Sequence, residues 1–158
     1  MAKTITSNVS SAIEKLQKIE EKIDRDILKV FFYAGEEMTA KARQLPADQS
    51  YSDQTSNLRS SIGYIVTKKG KVVQTSSFEA VVSETTGERG ARGTVKGKNY
   101  IESLIGKNDY ELIEAAGMEY AKYVQDMPGK DVLAGVALQG EVELKKLLNR
   151  LKNKTYKI

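Results

Sequence analysis

The chain has 158 residues and a formal net charge of +4, which fits one domain that buries a hydrophobic core. It contains neither Cys nor His, which excludes disulfides, thiolate and imidazole metal sites and the commonest general base. No nucleophile–base motif remains, so we expect neither enzymatic activity nor a cofactor. No apolar run reaches the roughly 18 residues that span a bilayer, and the N-terminus lacks a signal-peptide pattern. We therefore expect a protein without membrane contact that is made in the cytoplasm.

Charge is distributed unevenly along the chain. The net charge is −1 over residues 1–40, +5 over 41–100, −4 over 101–140 and +4 over 141–158. Alternating blocks of opposite sign suit copies that meet head to tail in a ring. They are equally compatible with ordinary solvated faces.

The N-terminal region has a helical pattern of apolar residues. Every spacing is three or four over the series Val9, Ile13, Leu16, Ile19, Ile23, Ile27, Val30, Ala34 and Met38. This predicts an amphipathic helix over 8–45 that ends at Leu45-Pro46. Its length would be roughly 57 Å at about 1.5 Å per residue, which exceeds a small domain. We expect part of it to project, to kink near Gly35 or to pack on a neighbouring copy.

Residues 53–82 predict a capped helical turn followed by strands. Asp53 or Thr55 would cap one turn, with Leu58 and Ile62 inward and Arg59, Ser60 and Ser61 outward. The runs Tyr64–Thr67 and Val72–Thr75 then predict a hairpin. A third strand is expected at Phe78–Val82. The basic residues at the hairpin tip, which are candidate contacts with a partner protein or DNA, are Lys68, Lys69 and Lys71.

The next segment, 83–109, is rich in glycine and basic residues and predicts a long flexible loop. The run Gly93–Asn99 has one residue too few between its glycines for a P-loop, and Asn99 replaces the Ser or Thr that binds the metal. Such a loop could still contact DNA phosphates non-specifically or bridge subunits. The candidate contact residues in it are Arg89, Arg92, Lys96 and Lys98.

The C-terminal third predicts a strand and two helices. The strand is expected at Glu111–Ala116, and Tyr120, Tyr123 and Val124 have the spacing of a short helix. An edge strand at Asp131–Leu133 would complete the segment 110–134. A second amphipathic helix is expected over 136–152, followed by a basic tail.

The order of these blocks resembles the tailed-phage family of head-tail joining, tail-completion and minor tail proteins. Members have an N-terminal helix, a "T-G-N-L-R-x-S-I" turn, a twisted hairpin, a strand that enters a "Y-A-x-Y-V" turn, and a C-terminal helix. The matching runs here are Thr55–Ile62 and Tyr120–Val124. Ser56 stands where the family usually has Gly, and 125–129 replaces an acidic residue followed by Phe-Gly-Thr. The motifs are structural and mark a fold.

The sequence therefore predicts a single α+β domain over 1–158, with an N-terminal and a C-terminal helix packed on one face of a small, mainly antiparallel sheet. The resemblance implies a structural subunit of a phage particle or prophage that forms a ring, plausibly hexameric, with connector or tail-tube proteins at the neck or tail. The alternative is a small basic protein that binds nucleic acid non-specifically. It lacks a recognition helix, an RNA-binding sheet signature and exposed aromatics among its basic residues.

Overall fold

A computed structural model describes residues 9–45, 51–52 and 54–155. The elements in chain order are α1 (Val9–Gln44), α2 (Asn57–Ser60), β1 (Ile62–Lys68), β2 (Lys71–Thr75), α3 (Ala91–Ser103), β3 (Tyr110–Ala116), α4 (Ala121–Gln125) and α5 (Ala134–Thr155). The predicted α+β class is confirmed. The predicted cap at Asp53 lies outside the described residues.

The sheet has three antiparallel strands in the order β2-β1-β3. The predicted hairpin is confirmed, and its turn is made by Lys69 (φ 52°) and Gly70 (φ 74°), both in the left-handed region that tight hairpins require. The expected strands at 78–82 and 131–133 are wrong. The first segment makes only an isolated bridge between Val82 and Arg89, and the second leads directly into α5.

The two faces of the sheet bury different helices. Tyr64 of β1 faces α1, where its ring lies against Gly35, and a Cβ at that glycine would overlap the ring. Ile65, the next residue, points to the opposite face and packs on Ile101 of α3. The helix α5 packs along α1.

A helix, α3, forms where a loop was predicted, and its glycines allow close packing against the turn around α2. The prediction of a flexible loop over 83–109 is wrong, because Ala91–Ser103 is helical. Gly93 and Gly97 lie on one face of α3, and a Cβ at either would overlap the backbone of Asn57 or Ser61. The glycines cost helix propensity but allow α3 to pack backbone to backbone on the turn around α2.

The main core lies where α1, α2 and α5 meet. Leu58 and Ile62, predicted to point inward, are 1% and 0% exposed. They pack with Ala42 of α1 and Val136 of α5. The buried Tyr64 adds an aromatic ring to a core that is otherwise mostly aliphatic. This core fixes the C-terminal half of α1 to the rest of the domain.

Candidate assembly surface

The turn at 55–62 holds the elements together. The Arg59 guanidinium, predicted to point outward, donates to the carbonyls of Arg43 (2.5 Å) and Leu45 (2.6 Å) at the end of α1. Arg43 in turn donates to the carbonyl of Ile62 at 2.7 Å. Because the last carbonyls of a helix lack partners within it, the two bonds from Arg59 cap α1, whereas the bond from Arg43 ties α1 to β1. The outward placement of Arg59 was therefore wrong, and its role is structural.

The serines of this turn are also structural. Ser60 and Ser61 were expected to face solvent, but both are fully buried. The Ser60 hydroxyl accepts the N–H of Val81 (2.9 Å), and the Ser61 hydroxyl donates to the carbonyl of Leu58 (2.8 Å). Their small hydroxyls satisfy backbone groups in a crowded site, which residue type alone does not reveal.

The second motif, Tyr120–Gln125, positions the start of α5. The side-chain oxygen of Gln125 accepts the N–H groups of Val132 and Leu133, both at 2.9 Å, and that of Ala134 at 3.2 Å. Free N–H groups at a helix start need such acceptors. The turn at 55–62 and the motif Tyr120–Gln125 thus both stabilise the fold through bonds to backbone groups.

At the hairpin tip, only two of the three candidate lysines are free of a described ion pair. Lys68 pairs with Asp24 of α1, which also accepts the hydroxyl of Tyr110. The bond from Lys68 holds the pKa of Asp24 below its usual range, and the bond to Asp24 raises the pKa of Tyr110 to about 12. Lys69 and Lys71 are exposed. Lys68 therefore serves to fasten α1 to the end of the sheet.

The four basic residues predicted in a loop lie on or next to α3. Arg92 and Lys96 are one turn apart, whereas Lys98 lies on a different face, so the structure does not gather them into one patch. Lys96 pairs with Glu119 at 2.7 Å. Arg89 precedes α3 and is exposed. They remain candidates for contacts with a partner, on a rigid helix instead of a loop.

Both carboxyl oxygens of Glu114 are buried. Glu114 of β3 lies opposite Tyr64, and within the described residues its two side-chain oxygens form no hydrogen bond of normal geometry. Burial raises the pKa of Glu114 to about 7, and the nearby hydroxyl of Thr39 acts in the opposite direction.

Glu114 also borders a groove of about 520 Å³ along the free edge of β3. The other charged side chains there are held in surface ion pairs, Lys122 with Asp126 and Glu119 with Lys96. Of the charged side chains that line this groove, Glu114 is therefore the one for which no ion pair is described.

Across the described ranges, no group of three or more carboxylates is placed to hold a metal ion. None of the helices in those ranges is long and apolar enough to cross a membrane.

The projecting half of α1 presents an unpartnered apolar stripe. Val9 (55%), Ile13 (48%), Leu16 (65%) and Ile19 (51%) are all about half exposed or more. Their spacing continues the face that farther along α1 packs on the sheet. The helix runs through Gly35 as one element, and the exposed stripe agrees with the expected projection. A kink near Gly35 and packing on a neighbouring copy stay predictions.

A second exposed apolar surface lies between α1 and α5. This α1/α5 groove has a volume of about 540 Å³ and is lined by Tyr33, Leu138, Val142 and Leu147 with charged residues at its rim. Tyr33 is 56% exposed and Leu138 is 66% exposed. Contiguous exposed apolar surfaces of this kind mark interaction sites.

No protein-family model, curated protein or solved structure matches the chain. The resemblance to the phage family therefore stays a prediction, and function is argued from these surfaces.

Proposed function

We propose that the chain is a structural virion-assembly protein of a tailed phage or prophage, which forms a ring at the head-tail junction or tail end. The observation that carries the proposal is the apolar stripe of α1, which extends beyond the sheet without any described partner. A soluble monomer gains nothing from a long helix with a bare apolar face, whereas an assembling subunit buries that face against its neighbours.

The backbone conformation of the turn at 55–62 also supports the family resemblance. Ser56 adopts φ 55°, a left-handed conformation that favours glycine, and it stands where the family usually has Gly. Only two non-glycine residues in the described ranges, Ser56 and Lys69, have a positive φ. The backbone thus adopts the conformation that the family's glycine would supply.

The mechanism would be geometric. Copies would associate head to tail into a ring, plausibly of six, that matches the symmetry of connector and tail-tube proteins. Subunits would stay in the cytoplasm until they join the neck or tail of the particle. The exposed cations Lys69, Lys71, Arg89, Arg92 and Lys98 would contact partner proteins or passing DNA.

The test is electron microscopy of lysates in which this gene is inactivated and then complemented. Unjoined full heads beside free tails would place the protein at the junction, and tails of aberrant length or end would place it in tail completion. Complementation with Leu16→Lys should fail, while Val95→Lys, at an exposed aliphatic residue of α3, should restore particles. Normal infectious particles without the gene would refute the proposal.

The second candidate, non-specific nucleic-acid binding, is favoured by the exposed cations on and beside α3. It predicts DNA binding that weakens steeply with salt and is lost when Arg89, Arg92 and Lys98 are changed to Glu. The absence of binding at low salt would dismiss it.

A further inference from the structure

The strand β3 leaves one edge of the sheet unpaired. The sheet has the order β2-β1-β3, and no strand of the described ranges pairs with the outer side of β3. The N–H of Ser76 donates to the carbonyl of Tyr64 at 2.9 Å, so the backbone groups of Tyr64 face the β2 side. Glu114 lies directly opposite Tyr64, and opposite residues alternate between bonded and non-bonded pairs. The N–H and the carbonyl of Glu114 therefore point to the free edge.

The same alternation identifies the other backbone groups at this edge. Every second residue of a strand turns its backbone groups to the same side, so Leu112 and Ala116 share the direction of Glu114. The N–H of Gly117 donates to the carbonyl of Ser61 at 3.1 Å, which places the odd-numbered residues on the β1 side as the alternation requires. The N–H groups and carbonyls of Leu112, Glu114 and Ala116 thus form a row with no strand beside it.

The two edges of the sheet differ in how they are protected. β2 has five residues, begins at Lys71 and has a register irregularity opposite Val66 and Thr67. Short length, an edge lysine and a bulge are features that discourage strand addition. β3 has seven residues in one continuous register and contains neither Lys nor Pro. An inward-pointing charge can also protect an edge, but the carboxyl oxygens of Glu114 are already buried, so an added strand would not remove further water from them.

The groove of about 520 Å³ that Glu114 borders lies along this free edge. One of its walls is formed by Tyr100 and Leu104 of α3, which are 47% and 42% exposed. The other wall is formed by Val132 and Leu133, which pack with Ala116 on the opposite face of the sheet. Side chains of an added strand would alternate between the two faces, so they would meet an apolar wall on each.

The charges at the groove disfavour a charged occupant. Among the lining residues, Lys122 pairs with Asp126, and Glu119 pairs with Lys96 of α3. The buried oxygens of Glu114 offer no contact to a ligand. A charged side chain placed over the edge would lose water without gaining an ion partner.

We propose that the free edge of β3 binds an extended, uncharged segment of a partner protein, which adds a fourth strand to the sheet. The unpaired backbone groups decide the form of the occupant, because a helix has no free N–H or carbonyl groups between its ends to offer them. Main-chain hydrogen bonds would supply the affinity, and the two walls would select apolar side chains at alternating positions. The inference goes beyond the assembly role and does not depend on it.

Selection from a random heptapeptide library on the purified full chain tests the proposal. Binding of the selected peptides is then compared between wild type, Leu104→Asp and Val95→Asp. Leu104 lines the groove, whereas Val95 is a 60% exposed residue of α3 outside it, so both changes should leave the fold intact. Selected peptides should be uncharged, and Leu104→Asp should weaken their binding at least about tenfold while Val95→Asp should not. Failure to select any peptide that distinguishes the two variants would overturn the proposal.

N-methylation of the selected peptides distinguishes a strand from any other bound form. In an added strand, alternate N–H groups donate to β3 and the others face solvent. Methylation of one alternating set should therefore abolish binding, and methylation of the other set should leave the affinity within about threefold. Loss of binding with both sets, or with neither, would contradict pairing with the edge.

The same peptides test whether a second copy of the chain occupies the edge. Sedimentation velocity of the wild type should show no self-association that the peptides reverse. Self-association that they do reverse would assign the edge to a second copy and would overturn the assignment to a partner protein. All of these measurements use purified protein, so the edge site and the phage role can fail independently.

Discussion

The two halves of α1 have the same spacing of apolar residues, but these residues are buried in one half and exposed in the other. In the C-terminal half, Ala34, Thr39 and Ala42 are buried, and Gly35 lies against the ring of Tyr64. In the N-terminal half, the apolar positions from Val9 to Ile19 face solvent. The difference arises because the sheet ends near Asp24. Periodicity thus shows that a helix has a face to bury, and only the tertiary structure shows whether the domain or a partner buries it.

Removal of the ring that fixes the C-terminal half should have the largest effect. Tyr64 is fully buried, and its hydroxyl donates to Glu36 at 2.8 Å and accepts from Gln74 at 2.7 Å. Tyr64→Ala should lower the free energy of unfolding by about 3–5 kcal/mol, as for other large aromatic truncations in cores. Urea denaturation measures this.

The matched control for Tyr64→Ala is Tyr123→Ala, because Tyr123 is 69% exposed and lies outside the core. Its cost should stay within about 0.5 kcal/mol. Equal losses for the two variants would contradict the assignment of Tyr64 as the anchor of α1.

The buried carboxyl opposite Tyr64 should make the same interface sensitive to pH. Burial raises the pKa of Glu114 from 4.5 to about 7, so the folded state binds more protons than the unfolded state between these values. Its favourable contribution is complete below pH 4.5 and is lost as the pH rises through 7. Glu114→Gln should therefore gain roughly 2–3 kcal/mol relative to the wild type between pH 4.5 and pH 8.

The measurement for Glu114→Gln is urea denaturation of both proteins across that pH range, because the difference between them cancels the other titrating groups. The same exchange at the exposed Glu79 is the control. A constant difference between wild type and Glu114→Gln would contradict the burial of an unpaired carboxyl.

Periodicity and turn chemistry predicted much of the fold. The spacing of apolar residues located α1 and α5 to within a few residues, and Lys-Gly between two runs rich in β-branched residues located the hairpin. These signals are local. Apolar spacing and turn residues identify a helix or a hairpin whichever element later packs against it.

The failures share a physical cause, which is backbone contact between distant segments. Gly93 and Gly97 favour a loop by propensity, but α3 needs them to approach Asn57 and Ser61. Their spacing of four, with Gly90 three residues earlier, is a signal of a small-residue helix face that could have located α3. The burial of Ser60, which accepts from Val81, has no such local signal.

The candidate assembly surface was predictable in part. The length of the periodic pattern indicated that α1 would project, kink near Gly35 or pack on a neighbouring copy, and the stripe consists of residues of that same pattern. The groove depends on how α5 lies along α1, including the close contact of Gly140 with Met38. Such pairing of elements that are remote in sequence cannot be derived from either pattern alone.

The smallest effect is expected at the boundary between the two halves, where Asp24 bonds Lys68 and Tyr110. Both members of the ion pair are partly exposed, so Asp24→Asn should cost no more than about 1 kcal/mol. The pKa of Asp24 is held below its usual value of 3.8, so its contribution is present above that pH and is lost as the pH falls through the lowered pKa. The difference in stability between wild type and Asp24→Asn should accordingly vanish in acid, and Asp26→Asn serves as the control.

Hydrogen exchange should show faster opening of 9–24 in Asp24→Asn with unchanged protection of 34–42, because only the first half of α1 lacks the sheet beneath it. Faster exchange along the whole helix would mean that the two halves open as one unit and would remove the distinction between them.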